Sequence, residues 1–295
     1  MKRRRLLVGG LSALGLTACG GLQSKPEVAA PRVARKPRLA LALGGGAARG
    51  FAHIGVIKAL ETNGIVPDLV VGTSAGAVVG ALYAAGHGPF ELQKLAIQLD
   101  EAAVTDWSLF ERGVIKGEAL ERFINTQLGN RPLEGLRRRF AVVATDLQSG
   151  EPIVFQRGNA GTAVRASAAI PGVFPPVAIS GREYVDGGLV APIPARAARS
   201  LGADVVVAVD ISARPSGRKN QGPVDLLLDT IAIMGGALGK SELAAADVVI
   251  RPELRGLPAA SFQQRHEAIL EGEKAGFAAL ARVREALAAW ERKNG

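Results

Sequence analysis

The chain has 295 residues, 48% of them apolar and 21% charged, which allows one α/β domain with a large buried core and excludes a disordered chain. Aromatic residues make up only 4%, so the core must be built from Ala, Val, Leu and Gly. The formal charge is +9, yet the basic residues beyond the first few are thinly spread; Arg137-Arg138-Arg139 lacks interleaved aromatics, which argues against nucleic acid and leaves acidic lipid headgroups open as partners.

Met1 to Arg5 is a basic start, Leu6 to Leu16 an apolar stretch too short to span a bilayer, and Leu16-Thr17-Ala18-Cys19 closes it. The pattern resembles a bacterial lipoprotein signal over residues 1–18, which would make Cys19 the lipidated first residue of the mature protein. Its removal takes away Lys2, Arg3, Arg4 and Arg5, four charges from the +9, leaving +5. Cys19 is the only cysteine, so no internal disulfide can form; read without the signal, it is an incidental residue of a frayed tail. Gly20 follows it in place of the aspartate that hints at inner-membrane retention, and Arg3-Arg4 leaves a twin-arginine route open. The expected location is the bacterial cell envelope, lipid-anchored and facing the periplasm, with the outer membrane favoured.

Residues 19–37 are polar, proline-containing and aperiodic, as a tether would be, and the folded domain is expected over 38–295. Leu39 to Leu43 is an apolar strand ending in Gly44-Gly45-Gly46, followed by a helical stretch to Asn63 that Gly64 stops. Asp68 to Gly72 reads as a second buried strand, and Ala75 to Ala85 as a small-residue helix ended by Gly86 and Gly88. Helical patterns follow near Glu91 to Leu99 and Gly117 to Leu128. Phe140 to Thr145 and Pro152 to Phe155 flank Gln148-Ser149-Gly150 as a hairpin would. A helix at Thr162 to Ala169, a strand at Arg182 to Val185, a helix at Pro194 to Leu201 and a strand at Asp204 to Val209 continue the alternation. His266 to Arg292 is a long amphipathic helix, expected to pack against the sheet. Alternating strands and helices predict a three-layer α/β fold, with a mainly parallel central sheet flanked by helices.

Two glycine-rich turns carry the chemistry. Gly72-Thr73-Ser74-Ala75-Gly76 has the form G-x-S-x-G, which puts a serine on a tight strand-to-helix turn at the positive end of a helix dipole. A shuffled chain of this composition would hold roughly 0.2 such motifs, so its context, a strand before and a helix after, matters. Gly44-Gly45-Gly46-Ala47-Ala48-Arg49-Gly50 is far rarer, on the order of 0.01 by chance. It lacks the Gly-Lys-Ser/Thr of a P-loop and the spacing of a dinucleotide loop. As an oxyanion hole it fits better, because consecutive small residues let backbone N–H groups approach a developing negative charge. The first strand, helix and second strand form a βαβ unit of about 30 residues, whose parallel strands end at the same sheet edge. Gly44 to Gly46 and Ser74 therefore meet there.

The serine needs a base, and the chain has three histidines. His53 follows the glycine loop and reads as a packing or capping residue, and His87 sits in a Gly-Pro turn. His266 alone follows both Ser74 and Asp186 in the serine, acid, histidine order, but it lies in the polar helix start Gln263-Gln264-Arg265-His266-Glu267 and reads as surface. Asp186 lies in Tyr184-Val185-Asp186-Gly187-Gly188. In isolation that is a turn; here it closes a strand after Ile170-Pro171-Gly172-Val173-Phe174-Pro175-Pro176, so it too can reach the active edge.

The glycine loop with arginine, the G-T-S-A-G turn and the D-G-G turn, in that order, resemble the patatin-like phospholipases. Ala144-Thr145-Asp146-Leu147, Ala169-Ile170-Pro171-Gly172-Val173-Phe174 and Asp204 to Ser212 extend the resemblance over about Arg38 to Ser212. It implies a serine acyl hydrolase with a Ser-Asp dyad and no histidine. Ser74 would be the nucleophile, Asp186 the base, and Gly45, Gly46 and Ala47 the oxyanion hole, framed by Gly44, Arg49, Gly50, Gly72, Gly76, Gly187 and Gly188. Ala47 stands where many relatives have a fourth glycine, and its methyl group could narrow the hole. The implied substrate is a membrane lipid, and neither metal nor cofactor is required. An aspartate at its ordinary pKa is a poor base for a hydroxyl, so such a dyad demands a water-poor pocket that raises its basicity. The competing readings are a Ser-His-Asp esterase using His266, an inactive lipid-binding protein, and nucleotide binding through the glycine loop.

Overall fold

The computed structural model describes residues 35–100, 116–212, 222–255, 257 and 262–294. Residues 1–34, with the expected signal, most of the tether and the lipidation site Cys19, lie outside the described residues.

Strand β1 (Leu39–Leu43) is buried at every position and lies in the interior of the sheet. Its alternation assigns the two faces: Leu39, Leu41 and Leu43 join the larger core cluster, while Ala40 and Ala42 join a smaller one on the other side. Strands β2 (Leu69–Thr73) and β7 (Val205–Val209) flank it in parallel, with Leu43 level with Gly72 on one side and Val209 on the other. Helix α1 (Phe51–Glu61), entered through a short 3-10 turn at Ala47–Gly50, makes the crossover from β1 to β2. Helix α2 (Ala75–Ala85) starts directly after β2. Near-continuous apolar runs such as Val205-Val206-Val207-Ala208-Val209 are what strands covered on both faces require.

The remaining elements complete three layers. Helices α3 (Pro89–Gln98) and α4 (Glu118–Gln127) join α1 and α2 on the larger core. Strand β3 (Arg139–Asp146) pairs in parallel with β2 and antiparallel with β4 (Pro152–Phe155), which is the expected hairpin. Helix α5 (Ala160–Ser167) is followed by β5 (Val177–Ile179) and β6 (Arg182–Asp186), an antiparallel pair in which β6 also runs antiparallel to β3. Helix α6 (Ala195–Ser200) covers the alanine face of the sheet, and α7 (Pro223–Leu243) leads to edge strand β8 (Val248–Ile250). The strand order is β5-β6-β3-β2-β1-β7-β8, with β4 on the side of β3. The mainly parallel reading holds for five strands; the antiparallel group β4, β5 and β6 was only partly visible in the sequence.

Helix α8 (Arg265–Asn294) departs from the sequence expectation. It packs chiefly along α1, and only its flank meets β7 and β8. Gly272 makes this fit possible, since a Cβ there would lie 2.0 Å from the Ala52 carbonyl oxygen. No helix among the described residues is long and apolar enough to cross a membrane.

Candidate active site

Register places the central residues. Thr73 at the end of β2 is level with Val143 of β3, so Ser74 continues to the level of Ala144, and Ala144 pairs on its other side with Asp186 of β6. Ser74 and Asp186 thus flank one position of β3. Ser74 Oγ donates to Asp186 Oδ2 at 2.6 Å, and both residues are buried, at 7% and 6% exposure.

The turn around Ser74 is strained. Ser74 has φ 52° and ψ −121°, a conformation that L side chains rarely adopt. Such a kink lets a strand pass into a helix while the intervening side chain stands clear of both. Its neighbours must be small: a Cβ on Gly76 would fall 2.1 Å from the Leu43 carbonyl oxygen, inside the end of β1. The Ser74 N–H donates to Ser167 Oγ at 2.8 Å, and that hydroxyl donates to the Val143 carbonyl at 2.6 Å. Ser167, fully buried in α5, therefore locks the turn to β3. Nothing in the sequence singled it out, because a serine in the alanine-rich run Ala163-Val164-Arg165-Ala166-Ser167 matches no motif.

Asp186 is held on all sides. Its N–H donates to the Ala169 carbonyl at 2.9 Å, and its carbonyl accepts from Thr145 Oγ1 at 2.8 Å. Its Oδ1 accepts from the Gly188 N–H at 2.6 Å. Gly187 allows the turn to tuck beneath β3, since a Cβ there would lie 2.2 Å from the Val143 carbonyl oxygen. Burial pushes the Asp186 carboxyl up to about 6, against the opposing pull of the hydrogen bonds from Ser74 and Gly188.

The glycine loop touches the same spot. A Cβ built on Gly45 would lie 3.2 Å from the Ser74 Cβ. One sequence expectation changes here, because the Gly45 N–H already donates to the Pro192 carbonyl at 2.9 Å and the Gly44 N–H to Val209 at 3.1 Å. The amides of Gly46 and Ala47 donate to no described acceptor. Of the three amides expected to form an oxyanion hole, those of Gly46 and Ala47 are therefore the ones without a described acceptor, and Gly45 is a close-packed spacer. Ala47 adopts φ 49°, the left-handed region that a glycine would occupy without strain. Arg49 anchors the loop from behind, donating to the carbonyls of Leu257 and Ser212 at 3.1 Å each. Residues 191–192 brace both turns, for Thr73 Oγ1 donates to the Ala191 carbonyl at 2.9 Å beside the Pro192 bond.

No histidine among the described residues hydrogen-bonds with Ser74 or Asp186. His53 is fully buried in α1 with Nε2 2.8 Å from the Gly44 carbonyl oxygen, so Nε2 carries the proton. Burial holds its pKa down, at about 4, and its Nδ1 has no partner. His53 is thus a neutral tie on the glycine loop. His87 bonds to Glu91 and to the Gln127 carbonyl, and His266 is exposed on the first turn of α8. Among the described residues no group of three His, Cys, Asp or Glu side chains is placed to hold a metal ion.

A strained serine at a strand-to-helix turn, a buried aspartate on its hydroxyl and a glycine loop at the same sheet edge define a class of α/β protein built around a Ser-Asp pair. The patatin-like phospholipase family model matches residues 41–199, a span that includes every one of these groups. The chain belongs to the patatin-like phospholipase family. An uncharacterized NTE family protein of Mycobacterium tuberculosis is 39% identical over 197 residues, covering 65% of this chain and 54% of that protein. The human patatin-like phospholipase domain-containing protein 6 is 35% identical over 191 residues, covering 62% of this chain and 14% of that protein. The chain thus aligns with about half the length of the first relative and a small part of the second. VipD from Legionella pneumophila shares the fold, with a TM-score of 0.56 at 15% identity over 86% of this chain and 67% of that one.

Proposed function

We propose that the protein is a serine acyl hydrolase of membrane lipids, a phospholipase or lysophospholipase, working through a Ser74–Asp186 dyad. The observation that carries this reading is the buried 2.6 Å hydrogen bond from Ser74 Oγ to Asp186 Oδ2. With its pKa pushed up to about 6, Asp186 is ionised at neutral pH yet more basic than an exposed aspartate, as a base for a hydroxyl must be.

In the first half-reaction Ser74 Oγ attacks the ester carbonyl carbon while its proton passes to Asp186 Oδ2. The carbonyl oxygen becomes an oxyanion facing the N–H groups of Gly46 and Ala47. Collapse of the tetrahedral intermediate breaks the bond to the alcohol, which leaves with the proton from Asp186 and a serine ester behind. Water then attacks that ester, giving its proton to Asp186, and the second collapse returns the proton to Ser74 and releases the fatty acid. His53 keeps the glycine loop in place and takes no part in proton transfer.

A fluorophosphonate probe should label the wild type rapidly and Ser74→Ala not at all, and lipid ester hydrolysis should vanish with the label. Equal labelling of both would remove Ser74 from the mechanism. Failure of the wild type to label would favour a lipid-binding protein without catalysis.

The lipid anchor at Cys19 is a separate proposal, resting on the signal-like residues 1–18. Radiolabelled fatty acid should enter the wild type and not Cys19→Ala, and the wild type should fractionate with the cell envelope. Equal incorporation would refute it.

A further inference from the structure

Helix α7 carries apolar side chains on both of its faces: Leu227 rests on Gly172 and half-buried Leu243 packs on the alanine-side core. Its inner face carries Gly235 and Gly239, against Pro192 and Ile193, together with the buried Glu242. Its outer face carries Leu226, Ile233 and Met234, exposed at 61%, 61% and 55%. These follow one another at helical spacing, with Thr230 between Leu226 and Ile233, and Ala237 and Lys240 continuing the stripe beyond Met234. Among the described side chains of α7 no exposed position is acidic, and Lys240 is the one exposed charge. A water-facing helix has its apolar stripe inward and its charges outward; α7 has a second apolar stripe where those charges would be.

The position of α7 gives the outer stripe a purpose. A Cβ on Gly172 would meet Leu227 Cδ2 at 2.8 Å, so α7 rests on the Ile170–Phe174 loop that precedes β6. It also contacts the turn Gly187–Leu189, and through Gly235 it lies against Pro192, whose carbonyl holds Gly45. It therefore lies directly outside the segments that frame Ser74 and Asp186.

We propose that the outer face of α7 is a membrane-docking surface, lying flat in the interfacial region of an anionic bilayer and presenting the dyad to lipid. Leu226 to Ala237 covers roughly 16 Å of helix, enough to bury three large side chains beneath the headgroups along the membrane plane. Lys240, on a long apolar stem, reaches anionic headgroups from the end of the stripe. The patch covers on the order of a few hundred Å², below the roughly 800 Å² per partner that a stable dimer uses, which favours a lipid surface over a second copy. Apart from the isolated Val66 and Leu147, the other exposed large apolar side chains, Phe90 and Ile97 on α3 and Leu270 and Phe277 on α8, lie on the opposite layer and are mixed with charge. Lys58 sits 5.3 Å over the Phe90 ring while bonding Glu273 at 2.9 Å. That patch serves as the control.

The purpose assigned to docking rests on the lipid hydrolase reading, but docking itself is measured independently. The chain from Gly20 onward carrying Ser74→Ala, so that neither signal, anchor nor turnover interferes, is the parent floated with vesicles of phosphatidylcholine and phosphatidylglycerol. Ile233→Glu/Met234→Glu should weaken partitioning at least tenfold, Leu226→Gln severalfold, and Phe90→Glu not at all. With Ser74 restored, the same α7 variants should keep turnover of a water-soluble short-chain ester within about twofold while losing hydrolysis of vesicle lipid. Unchanged flotation of both α7 variants overturns the proposal, as does a parent that does not float. A wild-type dimer by light scattering that the double variant converts to monomer would give the face to a second copy instead. A parent that floats through α7 but turns over no ester once Ser74 is restored would sink the hydrolase reading and leave docking standing.

Discussion

Ser74 and Asp186 reach the same spot by opposite routes. Ser74 leaves the carboxyl end of β2, in the parallel half of the sheet, where β2, β1 and β7 run in one direction and every crossover turn opens at the same edge. Asp186 ends β6, which descends against β3, so its carboxylate is delivered beside Ala144, short of the carboxyl end of β3 at Asp146. On the parallel side topology alone ensures the meeting, and the cost is local: a serine and an alanine at positive φ. On the antiparallel side geometry must be set residue by residue, since a slip of one position would turn the carboxylate to the other face of the sheet. The bonds to Ala169, Thr145 and Gly188, and the absence of a Cβ on Gly187, fix that register.

The sharpest way to break the comparison is at the base. Asp186→Asn should reduce ester hydrolysis by about four orders of magnitude, the scale on which a triad-type proton acceptor contributes. The same change should stabilise the protein. The folded-state pKa, about 6, lies above the ordinary 3.8, so the native state holds this proton more tightly than the unfolded chain. Its favourable contribution is therefore full below about pH 4 and is lost as pH rises through 6. At pH 8 the buried charge costs up to about 3 kcal/mol, and Asn removes that cost while keeping the shape. Melting curves of wild type and Asp186→Asn should separate between pH 4 and 6 with the variant higher. Wild-type kcat should rise over the same range, because only ionised Asp186 accepts the proton; curves that coincide at every pH would contradict the burial argument.

The next effect lies at the joint between the halves. Ser167→Ala would leave the Ser74 N–H and the Val143 carbonyl buried without partners, costing about 2 kcal/mol or more and loosening the strained turn. Denaturant titration should show the loss of stability. Fluorophosphonate labelling should slow at least tenfold, while KM for a soluble ester moves little, because Ser167 positions the nucleophile and does not touch substrate.

The two halves also differed in what the sequence disclosed. β1, β2, β7 and their turns were legible because buried parallel strands leave continuous apolar runs and crossover turns leave glycine motifs, so the approach of Ser74 to the Gly44–Gly46 loop followed from spacing. Asp186 was found as a motif, while the antiparallel descent of β6 was not. Val177–Ile179 follows Pro175-Pro176 and is too short to show a period, and Val248–Ile250 is equally brief. Helix α7 escaped notice because glycines interrupt it and apolar residues on both of its faces leave no one-sided period. Ser167 and the engagement of the Gly45 amide by Pro192 depend on contacts between residues far apart in sequence, which no local pattern records.

Within the parallel half, His53→Phe tests the tie on the glycine loop. The Gly44 carbonyl would lose its 2.8 Å donor inside the core, a penalty of about 1–2 kcal/mol, and kcat should fall severalfold as the Gly46 and Ala47 amides lose their aim. The rise in rate near pH 6 should stay where it is, because His53 is neutral throughout that range; displacement of that limb would give His53 a proton-transfer role that its contacts do not support.

The smallest effect should come from Ala47. At φ 49° an alanine carries about 1 kcal/mol of backbone strain that glycine would relieve, while glycine adds a comparable conformational entropy to the unfolded chain. Ala47→Gly should therefore leave stability within about 0.5 kcal/mol of wild type. Its effect on rate has a definite sign: removing the methyl group widens the approach to the freed N–H, so kcat should rise modestly with KM unchanged. Ala47→Val, whose branched side chain is least tolerant of positive φ, should lose both stability and rate. Opposite shifts in kcat for Gly and Val would tie the amide at this position to the oxyanion. Equal rates for all three would place the charge-stabilising donors elsewhere at the mouth of the site, with the N–H of Ala75 at the start of α2 the next to test.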